Sequence, residues 1–232
     1  MRHRGQSTIL KDENQMTKIA AAVFCLLLAS CGGGGQGNTY KDYDCSVFPD
    51  QFTSPYILPY QIGKSFKAFP HAARTASSTN SINPIQYYSL DIEMPIGTEI
   101  VASRDGEVIL AEEQFSDSDH TPGNENVIIV LHDDGTFARY FHLTKNGALV
   151  NVGDRVNQLD VIGLSGNSGN STGPHLHFDV MEVVGGDGEF CVPQRFTNSD
   201  PRHCTTVPLS FLNSPVTDCG LRFGVSYEAF SF

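Results

Sequence analysis

The chain has no tryptophan and few basic residues: 15 Lys and Arg stand against 26 Asp and Glu, a formal net charge of −11. An acidic chain gains nothing from counterion release, so nucleic acid is a disfavoured partner. Like charge also argues against docking of the folded part on an anionic membrane face. No C-x-x-C pair occurs among the six cysteines, which leaves a cysteine-based zinc site without its usual spacing. Beyond residue 31 no stretch of useful length has helical periodicity, and no internal repeat is evident. What the chain does have is 22 glycines, 12 prolines and 40 % apolar residues. That is the composition of short strands and many turns around a real core.

Residues 16–31 read MTKIAAAVFCLLLASC. One Lys, a short apolar run and then small residues is the layout of a secretory signal, and the run is too short to span a bilayer. Residues 1–15 are polar and charged, which points to Met16 as the start of the signal or to a long leading region. Leu28-Ala29-Ser30-Cys31 resembles the bacterial lipobox, in which the Cys thiol is acylated and becomes the mature N-terminus. Two acyl chains suffice for stable anchoring. The run Gly32 to Gly35 suits a flexible tether, and Gly32, not Asp, resembles the outer-membrane sorting pattern. The expectation is a lipid-anchored protein on the periplasmic side of an outer membrane. With Cys25 leaving with the signal and Cys31 lipidated, Cys45, Cys191, Cys204 and Cys219 remain. An even number in an oxidising compartment suggests disulfides, and three pairings stay open.

The chain divides into a signal segment (1–31), a tether (32–55), a β-rich domain (56–184) and a Cys-containing C-terminal extension (185–232). Within the domain, strands are expected at residues 99–102, 107–111, 126–132, 136–143, 161–164 and 175–184. Asp105-Gly106 reads as a hairpin turn and Asp134-Gly135 as another. In the extension, residues 191–196 and 207–211 read as edge strands. The predicted class is all-β and antiparallel. The loop SGNSGNSTGP at 165–174 is Gly-rich but lacks the Lys-Ser/Thr ending of a phosphate loop.

The sharpest local feature is His175-Leu176-His177. In a strand, alternate side chains share a face, so both imidazoles point the same way. Alone, H-x-H is a weak signal; here it follows a Gly-rich loop and opens an apolar strand. The whole segment from Gly163 to Phe178 closely resembles the signature of the lysostaphin or LytM-type zinc metallopeptidases. Leu90-Asp91-Ile92, Pro95-Ile96-Gly97-Thr98, Val101-Ala102, Asp105-Gly106-Glu107-Val108, Tyr140-Phe141-His142-Leu143, Gly153-Asp154-Arg155-Val156 and Val161-Ile162-Gly163 match further family motifs in order. The resemblance covers about residues 85–182 and implies a small, barrel-like or sandwich-like antiparallel domain. It further implies zinc as cofactor, Asp91 and His177 as ligands, and His142 and His175 as catalytic assistants. The implied substrate is the peptide of peptidoglycan.

One position departs from the pattern. The family's third ligand is a His four residues before the Asp, and here that residue is Tyr87, whose neutral phenol is a poor zinc ligand. Either another residue supplies the ligand, with His71 the best candidate and His120 a distant reserve, or the site is dead. In the second case the domain binds cell wall or activates a cell-wall amidase. Retention of Asp91, His142, His175 and His177 together favours the active reading. His132, at a strand end beside a turn, reads as a solvated residue.

Overall fold

The computed structural model of the chain describes residues 45–71, 86–183, 204–215, 220–222 and 224–232. The signal segment, Cys31 and the glycine run lie outside the described residues, as do the side chains of all four cysteines expected to form disulfides and the strand expected at 191–196. Among the described residues no helix is long and apolar enough to cross a membrane.

Among the described residues twelve strands form two antiparallel sheets: β1 (Ser65–Pro70), β2 (Leu90–Glu93), β3 (Glu99–Val101), β4 (Gly106–Glu112), β5 (Val127–Leu131), β6 (Phe137–Phe141), β7 (Leu143–Ala148), β8 (Arg155–Val156), β9 (Val161–Ser165), β10 (His175–Val183), β11 (Cys204–Thr206) and β12 (Val225–Glu228). The larger sheet runs β12-β1-β2-β10-β6-β5-β4-β8, with β11 also paired to β10; the smaller runs β3-β9-β7. The all-β, antiparallel expectation therefore holds.

Period-two alternation gives the large sheet two different faces. On one, Leu176, Phe178 and Val180 of β10 join Ile128, Val130, Ala138, Tyr140 and Ile92 in the main core. Each such large apolar side chain contributes about 1.5–3 kcal/mol on burial. Polar atoms within this core are paired: the Tyr60 hydroxyl donates to the Tyr227 carbonyl at 2.7 Å, and the Tyr140 hydroxyl accepts from Ser103 N–H at 2.8 Å. The opposite face carries a smaller cluster of Val127, Ile129, Phe137, Phe141 and Met181. Polar residues of β2, β6 and β10 share that second face.

The Asp134-Gly135 hairpin forms as expected. Gly135 takes a positive φ of 85°, and Asp134 Oδ1 accepts from Thr136 N–H at 3.0 Å while β5 and β6 pair on either side. Asp105-Gly106 is not a hairpin. β3 pairs with β9, whereas β4 pairs with β5 and β8, so the dipeptide crosses between sheets. The glycine serves a different end, since a Cβ at 106 would collide with the Leu131 carbonyl and the Val130 side chain. Residues 207–211 do not form a strand. Strand β11 lies just before them, and Leu209 and Phe211 are buried in the main core instead. Strands β1 and β12 carry no clean alternation, and they pair with each other at the sheet edge, Phe66 opposite Tyr227 and Ala68 opposite Val225. Within the segment read as tether, Gln51 and Ser54 are buried, and their side chains donate to the Ser214 and Ser210 carbonyls.

His132 is buried at 2 % exposure, not solvated. Its Nδ1 hydrogen-bonds the Asp105 carbonyl at 2.8 Å, and its ring packs edge-on against Tyr56. Burial holds its pKa below the ordinary histidine value of 6.5. In the window between the two values the unfolded chain binds more protons than the folded one, so folding stability falls as pH drops below about 6.5. A His132→Asn variant, which does not titrate there, should show a shallower loss of urea-unfolding free energy between about pH 7.5 and pH 5 than the wild type. Equal slopes would remove His132 as a source of acid sensitivity.

Candidate metal centre

Strand β10 is hydrogen-bonded on both sides. Its register sets His177 opposite Asp91 of β2 and, on the other side, opposite Phe141 of β6. Directly opposed residues project to the same face with Cβ atoms about 4.5–5.5 Å apart. His177 Nδ1 accordingly lies 2.8 Å from Asp91 Oδ1. His175 shares this face by alternation, with its Nε2 3.7 Å from the same oxygen.

Strand β1 flanks β2 on its other side, with Phe69 opposite Asp91. Two residues further on, His71 is anchored by its N–H donating to the Ser89 carbonyl at 2.9 Å. Its Nε2 lies 3.0 Å from Asp91 Oδ2, and its ring is 5.0 Å from that of His177. The ligand-type atoms of His71, Asp91 and His177 all lie within 4.8 Å of one another. Strands β2 and β10 and the residue that follows β1 thus each deliver one donor. Tyr87, at the position where the resemblance places a ligand, is 38 % exposed and packs edge-on against Tyr88. His120 is exposed in its polar loop and is not part of the cluster.

His142 comes next after β6. By strand alternation it would point away from Phe141 and His177, toward the opposite face. It instead takes a positive φ of 64°, a region rare for non-glycine residues in which His is enriched several-fold. The turn brings its ring to 4.6 Å from that of His175 and 6.0 Å from that of His177. Local strain of this kind costs about 1–3 kcal/mol and persists only where surroundings enforce it. Enforcement comes from the Gly-rich loop. His142 Nδ1 hydrogen-bonds the Ser168 carbonyl at 2.8 Å, Ser168 Oγ donates to the Leu143 carbonyl at 2.8 Å, and Asn126 Nδ2 donates to that same carbonyl at 3.0 Å. His175 Nδ1 is tied to the Gly173 carbonyl at 2.7 Å and lies 3.2 Å from Ser171 Oγ. Both imidazoles therefore have Nδ1 occupied by a carbonyl acceptor, leaving Nε2 on the far side of each ring.

Burial, together with the neighbouring His177 and His175, pushes His142 down to a pKa of about 3, so it is neutral near pH 7. For Asp91, burial alone would raise the pKa, but hydrogen bonds and charge from His177 and His71 hold it well below the usual carboxylate range. For His177, burial is likewise outweighed, here by Asp179 and Asp91, and its pKa rises to about 9. Asp179 and its partner Arg139 were not singled out from the sequence. A charged residue within a strand reads as solvent-facing, and only the second sheet face reveals that both are buried.

Two imidazoles and a carboxylate around one point suit a borderline metal such as zinc, and three protein ligands with an open position is the arrangement of catalytic zinc. Two further imidazoles, those of His142 and His175, stand at its edge, an arrangement of the kind that metal-dependent hydrolases use. Residues 86–189 match peptidase family M23, and the chain carries a domain of that family. Zinc is the cofactor of this family. His71 lies outside the matched residues. An uncharacterized metalloprotease of Buchnera aphidicola is 36 % identical over 126 residues, covering 54 % of this chain and 30 % of the relative. Peptidoglycan DD-endopeptidase ShyA of Vibrio cholerae is 32 % identical over 127 residues, covering 51 % and 27 %. The chain spans less than a third of the length of these relatives. The catalytic domain of the antimicrobial peptidase lysostaphin from Staphylococcus simulans is 33 % identical, covering 53 % of this chain and 80 % of that one, at a TM-score of 0.36.

The Gly-rich loop's hold on His142 can be probed at Gly166, which is bridged to His175. A Cβ there would strike the backbone at Leu143 and Thr144, as well as Asp117 Oδ1, whereas one at Gly173 meets nothing within 4 Å. Gly166→Ala should lose about 1–3 kcal/mol of unfolding free energy, the usual cost of overpacking. Gly173→Ala should lose little. A Gly166→Ala domain as stable as the wild type would mean the loop yields easily and does not hold His142.

Proposed function

We propose that the domain is a zinc-dependent endopeptidase that hydrolyses peptide cross-links of peptidoglycan, with His71, Asp91 and His177 as the metal ligands. The observation that carries this reading is the convergence of these three donors within 4.8 Å, with the rings of His142 and His175 beside them. When bound, zinc acidifies a water molecule and polarises the scissile carbonyl. The chain's own residues do the rest. His142, kept neutral by burial, and His175 are each fixed through Nδ1 and present Nε2 toward the reaction. One accepts the proton of the attacking water, and the imidazolium so formed faces the developing oxyanion and can return the proton to the leaving amine. The substrate class is supported by the relatives: ShyA is named a peptidoglycan DD-endopeptidase, and ALE-1 of Staphylococcus capitis a glycyl-glycine endopeptidase. An inactive wall-binding or amidase-activating module is not favoured, because five histidine and aspartate side chains retain a mutual geometry that such a role does not require.

The proposal extends to location. An exported chain, lipidated at Cys31 and tethered through Gly32 to Gly35, would work on the periplasmic side of an outer membrane. Tethering beside an immobile polymer raises the effective concentration of enzyme at its substrate.

Zinc content of the exported part (residues 36–232) provides the test. Near-stoichiometric zinc is expected, and His71→Ala should lose it. His142→Ala and His175→Ala should keep the metal while cleavage of cross-linked peptide falls about 10²–10⁴-fold, the usual contribution of general acid–base groups. A native domain that binds no zinc, with binding restored by Tyr87→His, would sink the enzyme reading and return the domain to a binding or activating role.

A further inference from the structure

We infer that Asp179 is a positioning residue: held in place by Arg139 and Ser89, it fixes which nitrogen of His177 carries the proton and hence which nitrogen is left for the metal. The inference rests on the zinc reading above. Asp179 follows His177 by two residues on β10 and so shares its face. It stands opposite Arg139 in the β10–β6 register. Arg139 donates from Nε to Oδ1 and from Nη2 to Oδ2, each at 2.7 Å, and Ser89 Oγ donates to Oδ2 at 2.9 Å. On its remaining side, Asp179 Oδ2 lies 3.5 Å from His177 Nε2.

The His177 ring is therefore set between two carboxylates, Asp91 at Nδ1 (2.8 Å) and Asp179 at Nε2 (3.5 Å). An ionised carboxylate only accepts hydrogen bonds. Nδ1 faces Asp91 and the converging His71, the side a metal would occupy, so with the metal in place Asp179 is the carboxylate left to hold the proton on Nε2. A carboxylate of this kind behind a metal-binding His orients the ring and raises its basicity. The bidentate Arg139 fork fixes the carboxylate in one orientation, which a lone water or a mobile side chain would not do.

Packing alone does not explain the pair. The side chains of Arg139 and Asp179 are 3 % and 0 % exposed, and a buried ion pair is often matched or bettered in stability by apolar residues of similar volume. The same face already carries Val127, Ile129, Phe141 and Met181, among which such residues would fit. Neither charge reaches the mouth of the site, so a direct role toward substrate is excluded by burial.

The test compares zinc affinity, by chelator competition, of the wild-type chain and the double variant Arg139→Met/Asp179→Leu, which removes both charges and leaves no unpaired ion. The metal-free variant is expected to fold with an unchanged circular dichroism spectrum, and to bind zinc about 10–100-fold more weakly, the usual effect of removing such a partner. In the zinc-loaded wild type, nitrogen-15 NMR should find the His177 proton on Nε2. Equal zinc affinity of variant and wild type overturns the inference, as does a wild-type His177 proton on Nδ1. The NMR measurement needs no variant and decides the matter even where the double substitution misfolds. A wild-type chain that binds no zinc overturns the zinc reading as well, which separates the two failures.

Discussion

The arrangement of this molecule depends on one register, that of β10 between β2 and β6. It sets His177 opposite Asp91 and Phe141. Because side chains alternate along a strand, a slip of one residue would turn His175, His177 and Asp179 into the main core and set Leu176, Phe178 and Val180 among the polar groups of the other face. The cost of that exchange is what makes the register reliable: three fully buried apolar side chains would lose their core contacts while three polar ones would lose their partners. The site is thus positioned by the hydrophobic effect acting on the face it does not occupy.

The polar face has its own logic. From the mouth inward, His71, Asp91 and His177 are succeeded by Asp179, Ser89 and Arg139, and the last group is sealed by Phe141, which lies under the Arg139 guanidinium at 5.1 Å. Each charge in the row has an opposite charge or a donor beside it, which is the condition for burying it at all. The residue out of line is His142. Its positive φ is the one conformational cost at the centre, and the Gly-rich loop that bears it is also the loop that ties back His175. A single segment, 165–174, therefore orients both imidazoles proposed to move protons.

Much of this was legible in the sequence, for identifiable reasons. The strands carrying the main core announce themselves because β5 is an apolar run between turn residues and β10 alternates polar and apolar residues after the Gly-rich loop. The H-x-H pair, Asp91 and His142 stand in motifs with specific spacing. What escaped was set by partners far away in the chain. Arg139 looks solvent-facing because it carries the one charge in β6, yet the second face is covered. His132 looks like a turn residue, yet Asp105 and Tyr56, from remote segments, enclose it. Asp105-Gly106 has the composition of a hairpin, but its glycine answers to the close approach of β5 and not to turn geometry. Strands β1 and β12 have short, mixed sequences with no clean alternation to read, and they lie at one end of the sheet, β12 at the edge and β1 between it and β2.

The position of His71 follows from the same topology. Strand β2 has two neighbours, and a cluster centred on Asp91 can draw donors from either. One comes from β10. A side chain four residues before Asp91 would come from the approach to β2 itself, and there the chain has Tyr87. The remaining source is β1, whose end lies alongside Ser89. A donor on β1 is well placed only if that strand is held, and a strand at the edge of a sheet is the part that frays first. Here β12 covers it: four residue pairs join β12 to β1, and the Gly224 N–H extends the ladder to the Ala68 carbonyl at 2.7 Å. Moving a proposed ligand from the approach to β2 to the residue after β1 thus brings the C-terminal extension, through β12, alongside the strand that leads to that ligand.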